Sequence, residues 1–284
     1  MKRLIVLLGV LGASLSSIFV RLSTAPSLIL VLYRVGLATL LLAPVVLVKH
    51  RRELLALTAR EAGLCLCSGA ALGLHFAAYF ESLRFTSIAA SVVLVDTEVL
   101  FVALISILLF RKKLSGRAWA AIALALLGSV IIALADTAGG GSDALRGDLL
   151  ALGGAFFVAV YTMLGSVCRR SVSTNVYTFL VYLAASLTVL AIALMGGQAV
   201  TGYGSINYLT GLGMAVFCTL LGHSVFSWSL KYLPPAFVST AKLMEPVFAS
   251  VMGLALFGEL PGALTVIGGV TIIFAITLYS RVEE

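Results

Sequence analysis

Charge is what this sequence has least of. Lysine, arginine, aspartate and glutamate make up 11% of its 284 residues, against about 25% in a soluble domain. That is too little to wet a folded surface, and 61% of the residues are hydrophobic. A soluble enzyme, a nucleic-acid-binding module and a secreted disulfide scaffold are excluded. Cysteine is scarce too: Cys65, Cys67, Cys168 and Cys218 all fall in or beside apolar stretches. The Cys65-Leu-Cys67 spacing fits neither a zinc knuckle nor a redox pair, so we expect no metal and no disulfide. No Walker-type phosphate loop, His/Cys cluster or nucleophile motif is present. Hence no catalytic residues, no cofactor and no ATP hydrolysis are expected.

What is present is length without polarity. A membrane-spanning helix needs roughly 20 mainly apolar residues. Ten segments qualify: 4–20, 28–48, 62–83, 87–110, 118–135, 149–167, 176–195, 209–230, 236–257 and 263–279. In lipid they must be helices, because an open strand would leave backbone groups unpaired. Pro44, Pro234, Pro235 and Pro261 sit near segment ends, where a missing amide is tolerated. Pro246 alone lies mid-segment and predicts a kink in the ninth helix. Lys2-Arg3, an apolar stretch and Gly12-Ala13-Ser14 have the form of a signal peptide. Removing the segment would break the internal symmetry below, so it reads as the first span.

The formal net charge of +7 is an orientation signal. Fourteen basic residues, among them Lys2, Arg3, Lys49, Arg51, Arg111, Lys112, Lys113, Arg170 and Lys231, fall on one side of a ten-span threading. Only Arg21, Arg84 and Arg146 fall on the other. The positive-inside rule then places both termini in the cytoplasm of a cell with an inner membrane. No nucleic-acid partner is implied; the lipid bilayer and a small-molecule substrate are, around a chain expected to be monomeric.

The chain also repeats itself. At an offset of 147 residues, Ser82-Leu83 aligns with Ser229-Leu230, Glu98 with Glu245, Phe101 with Phe248 and Leu109-Phe110 with Leu256-Phe257. The expected organisation is a first five-helix repeat over 1–137, a linker over 138–146 and a second repeat over 147–284. Five is odd, so the second copy is expected upside down. Arg111-Lys112-Lys113 faces the cytoplasm, and its mates Gly258-Glu259-Leu260 have lost the positive charge. Inverted repeats are the architecture of alternating-access carriers, whose sites lie near the midplane.

Six stretches carry a family likeness. The run Tyr79 to Ser91 resembles the third-to-fourth helix junction of EamA-type transporters of the drug/metabolite transporter superfamily. Its counterparts are Leu230-Lys231-Tyr232-Leu233-Pro234-Pro235-Ala236, then Glu245-Pro246-Val247-Phe248 and Phe257-Gly258-Glu259. Gly147 to Leu152 resembles the usual start of the sixth helix, and Tyr33-Arg34 the family's second-helix arginine. The resemblance covers nearly the whole chain. It implies ten helices around a central cavity lined by the third, fourth, eighth and ninth, and movement of small organic metabolites, often outward. Val99 stands where the first copy often has proline, so the resemblance gives no reason for the fourth helix to kink as the ninth does.

Charges inside hydrocarbon cost at least about 2.5–3.5 kcal/mol each and ask for a reason. Glu98 and Glu245 sit halfway along the fourth and ninth helices. Two neighbouring buried carboxylates cannot both ionise cheaply, which makes Glu98, Glu245 and the nearby Asp96 candidates for proton coupling. Lys242 lies at i and i+3 from Glu245, on one helix face. It reads either as a structural ion pair with that carboxylate or as a substrate-facing charge. Asp96 points about 160° away from Glu98 at about 100° per residue, toward a partner such as Arg34. Arg34 is expected to pair with Glu81 or Asp96. Substrate-binding candidates are His75, Tyr79, Glu98, Phe101, His223, Trp228, Lys242 and Glu245: the acids favour an amine, and the aromatic rings suit cation–π contact. The histidines read equally as helix-packing residues. Glycines 9, 12, 69, 73, 211 and 213 predict close helix approach. The expected function is an exporter or exchanger of amino acids or other amines, with sugars, nucleotide-related compounds or drug-like cations as the alternative class.

Overall fold

The computed structural model describes residues 2–86, 88–111, 113–135, 143–258 and 260–282. The expectations placed on Ser87, Lys112, Glu259 and linker positions 138–142 lie outside them. With no water available to apolar backbone, every long apolar run closes its hydrogen bonds internally. Six long helices come first: α1 (Lys2–Leu22), α2 (Ser27–Lys49), α3 (Ala59–Ser82), α4 (Ala90–Phe110), α5 (Gly116–Ala135) and α6 (Ala144–Cys168). They are followed by α7 (Thr174–Met195), α8 (Ser205–Ser229), α9 (Pro235–Lys242), α10 (Glu245–Phe257) and α11 (Ala263–Val282). A short helix, Arg51–Ala56, lies between α2 and α3. Eight of these helices, α1 to α8, are long and apolar enough to cross a membrane among the described residues.

Polar punctuation sets the ends. Thr58 accepts from the Glu61 amide and the Glu61 carboxylate accepts from the Thr58 amide, a reciprocal cap that starts α3. Ser173 caps α7, and Asp143 caps α6 by accepting from the Arg146 amide.

The expected ninth span is two helices. α9 ends at Lys242, α10 begins at Glu245, and Leu243 and Met244 turn between them with i to i+3 bonds. Pro246 therefore stands in the first turn of α10, where its missing amide costs nothing, and not inside a kinked helix. The fourth span breaks at the same register without a proline. Helical residues Ile88–Asp96 stop at Thr97, whose hydroxyl donates to the Leu94 carbonyl, and a new helix runs Glu98–Phe110. A hydroxyl bonded back to its own helix competes with the regular ladder. Within α8, residues Met214–His223 are wound as a π-helix.

Helix ends recur at the offset of 147. Both Glu98–Phe110 and Glu245–Phe257 are 13 residues long, each with its glutamate in the first turn and a left-handed residue, Arg111 or Gly258, at its C-cap. The bounds of α5, Gly116 and Ala135, map onto those of α11, Ala263 and Val282.

Packing follows small residues, as expected. A methyl on Gly12 would lie 2.6 Å from the Phe217 carbonyl oxygen, and one on Gly73 2.8 Å from Thr188. α3 packs against α6 and α7, α1 against α8, α2 against α7, and α5 against α11. The α3–α7 and α5–α11 seams are backbone-close: a methyl on Gly69 would collide with the Val181 carbonyl oxygen, and one on Gly268 would sit 2.6 Å from the Gly128 carbonyl oxygen.

One polar clamp had no sequence signal. Asn207, 1% exposed, accepts at Oδ1 from the Ser23 hydroxyl (2.9 Å) and from the amides of Thr24 (2.8 Å) and Ala25 (2.9 Å). It thereby ties α8 to the α1–α2 corner. Asn207→Ala removes the acceptor shared by the Thr24 and Ala25 amides, at about 0.5–1.5 kcal/mol per hydrogen bond lost. Thermal unfolding in detergent should show that loss, and an unchanged midpoint would mean that water replaces the amide.

Candidate functional site

The breaks in the fourth and ninth spans bring their polar ends together. Lys242, the last residue of α9, donates from Nζ to Glu98 Oε1 at 2.9 Å. The two side chains are 12% and 7% exposed, so this is a buried ion pair joining α4 to α9. Its partner differs from the one expected. A continuous helix would set Lys242 over Glu245 at i and i+3; the turn at Leu243 and Met244 removes that register, and the lysine reaches across to Glu98. The Glu245 carboxylate accepts no hydrogen bond from the described residues, while the charges of Lys242, Asp96, Glu98 and Arg34 all act on it. The backbone carbonyl of Glu245 accepts from the Ser14 hydroxyl at 3.1 Å, which ties α10 to α1.

Arg34, 4% exposed, corrects a second expectation. Its guanidinium donates to Thr219 Oγ1 (2.9 Å), Ser16 Oγ (3.3 Å) and the Cys218 carbonyl (3.4 Å). It also lies 4.9 Å above the Phe76 ring. Neither Glu81 nor Asp96 pairs with it among the described residues. Its partners Thr219 and Cys218 both lie in the π-helical stretch of α8. Glu81 pairs with Arg84 instead, at 3.0 Å and three residues on. Asp96 accepts from the Ser129 hydroxyl of α5.

An aromatic wall stands beside these charges. The Phe76 ring meets His223 edge-on at 5.7 Å, and His223 also contacts Tyr161 (6.2 Å) and Phe226 (5.9 Å). Lys242 Nζ lies 5.6 Å from the Phe226 ring centroid. The Nδ1 atom of His223 is buried without a hydrogen-bond partner. His75 lies parallel to Tyr79 at 6.2 Å and its Nδ1 bonds to the Gly154 carbonyl of α6 at 2.9 Å, a helix-packing contact. Phe101 sits edge-on to Phe156 at 5.9 Å. Trp228 stands apart, against Tyr232 at 4.8 Å near the end of α8.

The sequence reading omitted Phe76, Tyr161 and Phe226. The first and last follow from the repeat, since Phe76 aligns with His223 and Tyr79 with Phe226. Tyr161 gave no signal.

Comparison with known proteins places this arrangement. A model of the EamA-like transporter family matches residues 2–134 and 145–281. The chain belongs to that family. It is a multi-pass membrane transporter and not an enzyme. Among EamA relatives, an uncharacterized transporter of Archaeoglobus fulgidus is 26% identical over 208 residues, 72% of this chain and 71% of that one. The pseudopaline exporter CntI of Pseudomonas aeruginosa is 25% identical over 265 residues, 92% and 89% of the two chains. A solved crystal structure superimposes with a TM-score of 0.83 at 15% identity, covering 99% of this chain and 98% of that one. At that identity the likeness is one of fold.

Proposed function

We propose that this EamA-family protein is a secondary active exporter or exchanger of amine-bearing metabolites such as amino acids, working by alternating access and coupled to protons. In this reading α1 to α5 and α6 to α11 are two five-span repeats of opposite orientation. The fourth span of each is broken, so that α9 and α10 together form the ninth. The helix ends that recur at 147 support it. So does the packing: under that offset α3–α6 exchanges with α8–α1, while α2–α7 and α5–α11 map onto themselves. Such pairing is what a two-fold axis in the membrane plane produces. The basic side faces the cytoplasm, and the protein works as a monomer in the inner membrane.

The observation that carries the reading is the pair of glutamates heading two half-helices, one held by Lys242 and the other without a donor. The centre is left with more acid than base, which suits an ammonium group or a proton. His75, Tyr79, Phe101, His223 and Lys242 complete the lining, with the His223 ring nitrogen free to accept from a substrate N–H. Asp96 is held by Ser129 and serves as a further proton acceptor, and Trp228 belongs to the entrance. Export agrees with the role of the Pseudomonas relative, a pseudopaline exporter.

The test is transport in proteoliposomes across a pH series, using an amine and amino-acid panel. Glu98→Gln and Glu245→Gln should each flatten the pH profile, Glu245→Gln with the smaller loss of folded protein because its carboxylate is not bridged. If both variants keep the parent profile, the carboxylates are structural and proton coupling is wrong. Uptake of sugars or nucleotides alone would remove the amine class.

A further inference from the structure

A second polar chamber lies away from the acidic centre. It is a recess of about 290 Å³ between the ends of α4 and α6 and the corner joining α8 to α9. Ser106, Phe110, Ser166, Arg170, Lys231 and Tyr232 line it, and no carboxylate does among the described residues. Neither Arg170 nor Lys231 has an acidic partner among the described residues. Lys2 Nζ sits 4.2 Å over the Tyr232 ring, adding a third cation at the rim. Ser106 is eight residues along α4 from Glu98, about 12 Å along the axis at 1.5 Å per residue, so the recess lies about two helical turns from the Glu98–Lys242 pair.

The counterpart corner at the opposite end of the fold is built alike and charged differently. At the offset of 147, Lys231 corresponds to Arg84 and Tyr232 to Phe85. There Arg146 lies 4.2 Å over the Phe85 ring, as Lys2 lies over Tyr232. But Arg84 is bound by Glu81 at 3.0 Å, and a second carboxylate of that corner, Asp148, accepts from the Thr86 hydroxyl at 2.8 Å. That corner thus carries two carboxylates, one of them paired with a cation, whereas among the described residues none lines the recess. Orientation alone accounts for basic residues on that side, but not for their lining a cavity two helical turns from the centre.

We propose that the recess is the inner mouth of the transport path and captures carboxylate groups. The substrate is then a zwitterion, its acid met by Arg170 and Lys231 and its ammonium destined for the acidic centre. A planar guanidinium suits a carboxylate bidentately, and the outer corner, with carboxylates of its own, holds that group less tightly, which favours capture from the cytoplasm and release outside. This rests on the transporter reading above and narrows its amine-bearing substrates to those that also carry a carboxylate.

Trp228 gives a readout that needs no transport. Its ring is 4.8 Å from Tyr232, and in a Trp119→Phe background it is the sole tryptophan of the two in the chain. Purified protein in detergent is titrated with lysine, with glutarate (acid without amine) and with cadaverine (amine without acid). Lysine and glutarate should change Trp228 emission saturably and cadaverine should not. Arg170→Gln with Lys231→Gln should raise both dissociation constants about tenfold, roughly threefold for each cation in a recess open to water, and Arg170→Lys with Lys231→Arg should retain them. If the double variant does not stay monodisperse, Lys231→Gln alone should give about a threefold rise. Absence of a saturable response to either acid, or an equal response to cadaverine, overturns the proposal. So does a response only to phosphatidylglycerol nanodiscs, which assigns the cations to lipid headgroups. Since the signal is read without transport, its failure leaves the central-site reading standing, and failure of the glutamate variants leaves this one standing.

Discussion

Lys242→Met is expected to destabilise the protein by about 3–5 kcal/mol, the cost of leaving one member of a buried ion pair alone. The Glu98 carboxylate would lose its 2.9 Å donor in surroundings that admit little water. Glu98→Gln should cost less, because an amide is cheaper to bury than a charge, though it leaves Lys242 with only Glu245 to turn to. The double variant Glu98→Gln with Lys242→Met should recover most of the loss, since a neutral pair removes the unpaired charge as well as the bond. Thermal unfolding of the four proteins in one detergent closes the double-mutant cycle. Additive effects of the two single changes would show that the contact is not energetically coupled. Transport adds an independent readout: Lys242→Arg should keep measurable activity and Lys242→Met should not.

Gly268→Leu is expected to be strongly disruptive, because Gly268 is buried in the seam between α5 and α11. A single methyl there already falls 2.6 Å from the Gly128 carbonyl oxygen and 2.6 Å from Ile132, and backbone has no rotamer with which to yield. Overpacking of a well-filled seam costs about 1–3 kcal/mol, and a full isobutyl group against main chain lies at the upper end or beyond. In lipid, α5 and α11 are held together by close packing and not by exclusion of water, so separating them forfeits most of what joins them. The expected result is a large fall in monodisperse protein, with Gly268→Ala intermediate. Parent-like unfolding of Gly268→Leu would mean that α11 can shift outward without cost, and the tight seam would then not be essential.

Much of this was legible because hydrocarbon leaves a chain few options. Apolar runs gave the helices to within a few residues, and the register of 147 made Glu98 and Glu245 counterparts before any coordinates. What escaped was local hydrogen-bond choice. Nothing in the pattern around Thr97 distinguishes a hydroxyl turned to solvent from one bonded to Leu94. That single choice breaks the fourth span where proline was thought necessary. The partner of Lys242 was misassigned for the same reason: counting i and i+3 assumes an unbroken helix, and the helix stops between the two residues. Arg34 failed differently. Its partners Thr219 and Cys218 lie on a stretch wound with a wider turn, and an apolar sequence carries no mark of that winding. The clamp of Asn207 on the α1–α2 corner depends on one amide meeting three donors from a distant loop, a coincidence that only folding creates.

The two left-handed corners, at Arg111 (φ 52°) and Gly258 (φ 68°), have a consequence for how such a carrier tolerates change. Glycine turns this corner without a steric penalty, while an arginine pays of order 1–2 kcal/mol for its β-carbon. Its cationic head is what anchors that loop to the cytoplasmic side of the bilayer in the orientation proposed above. Duplicated geometry thus met unequal demands at its two ends: one end kept the comfortable backbone, and the other gave it up to stay on the correct side of the membrane.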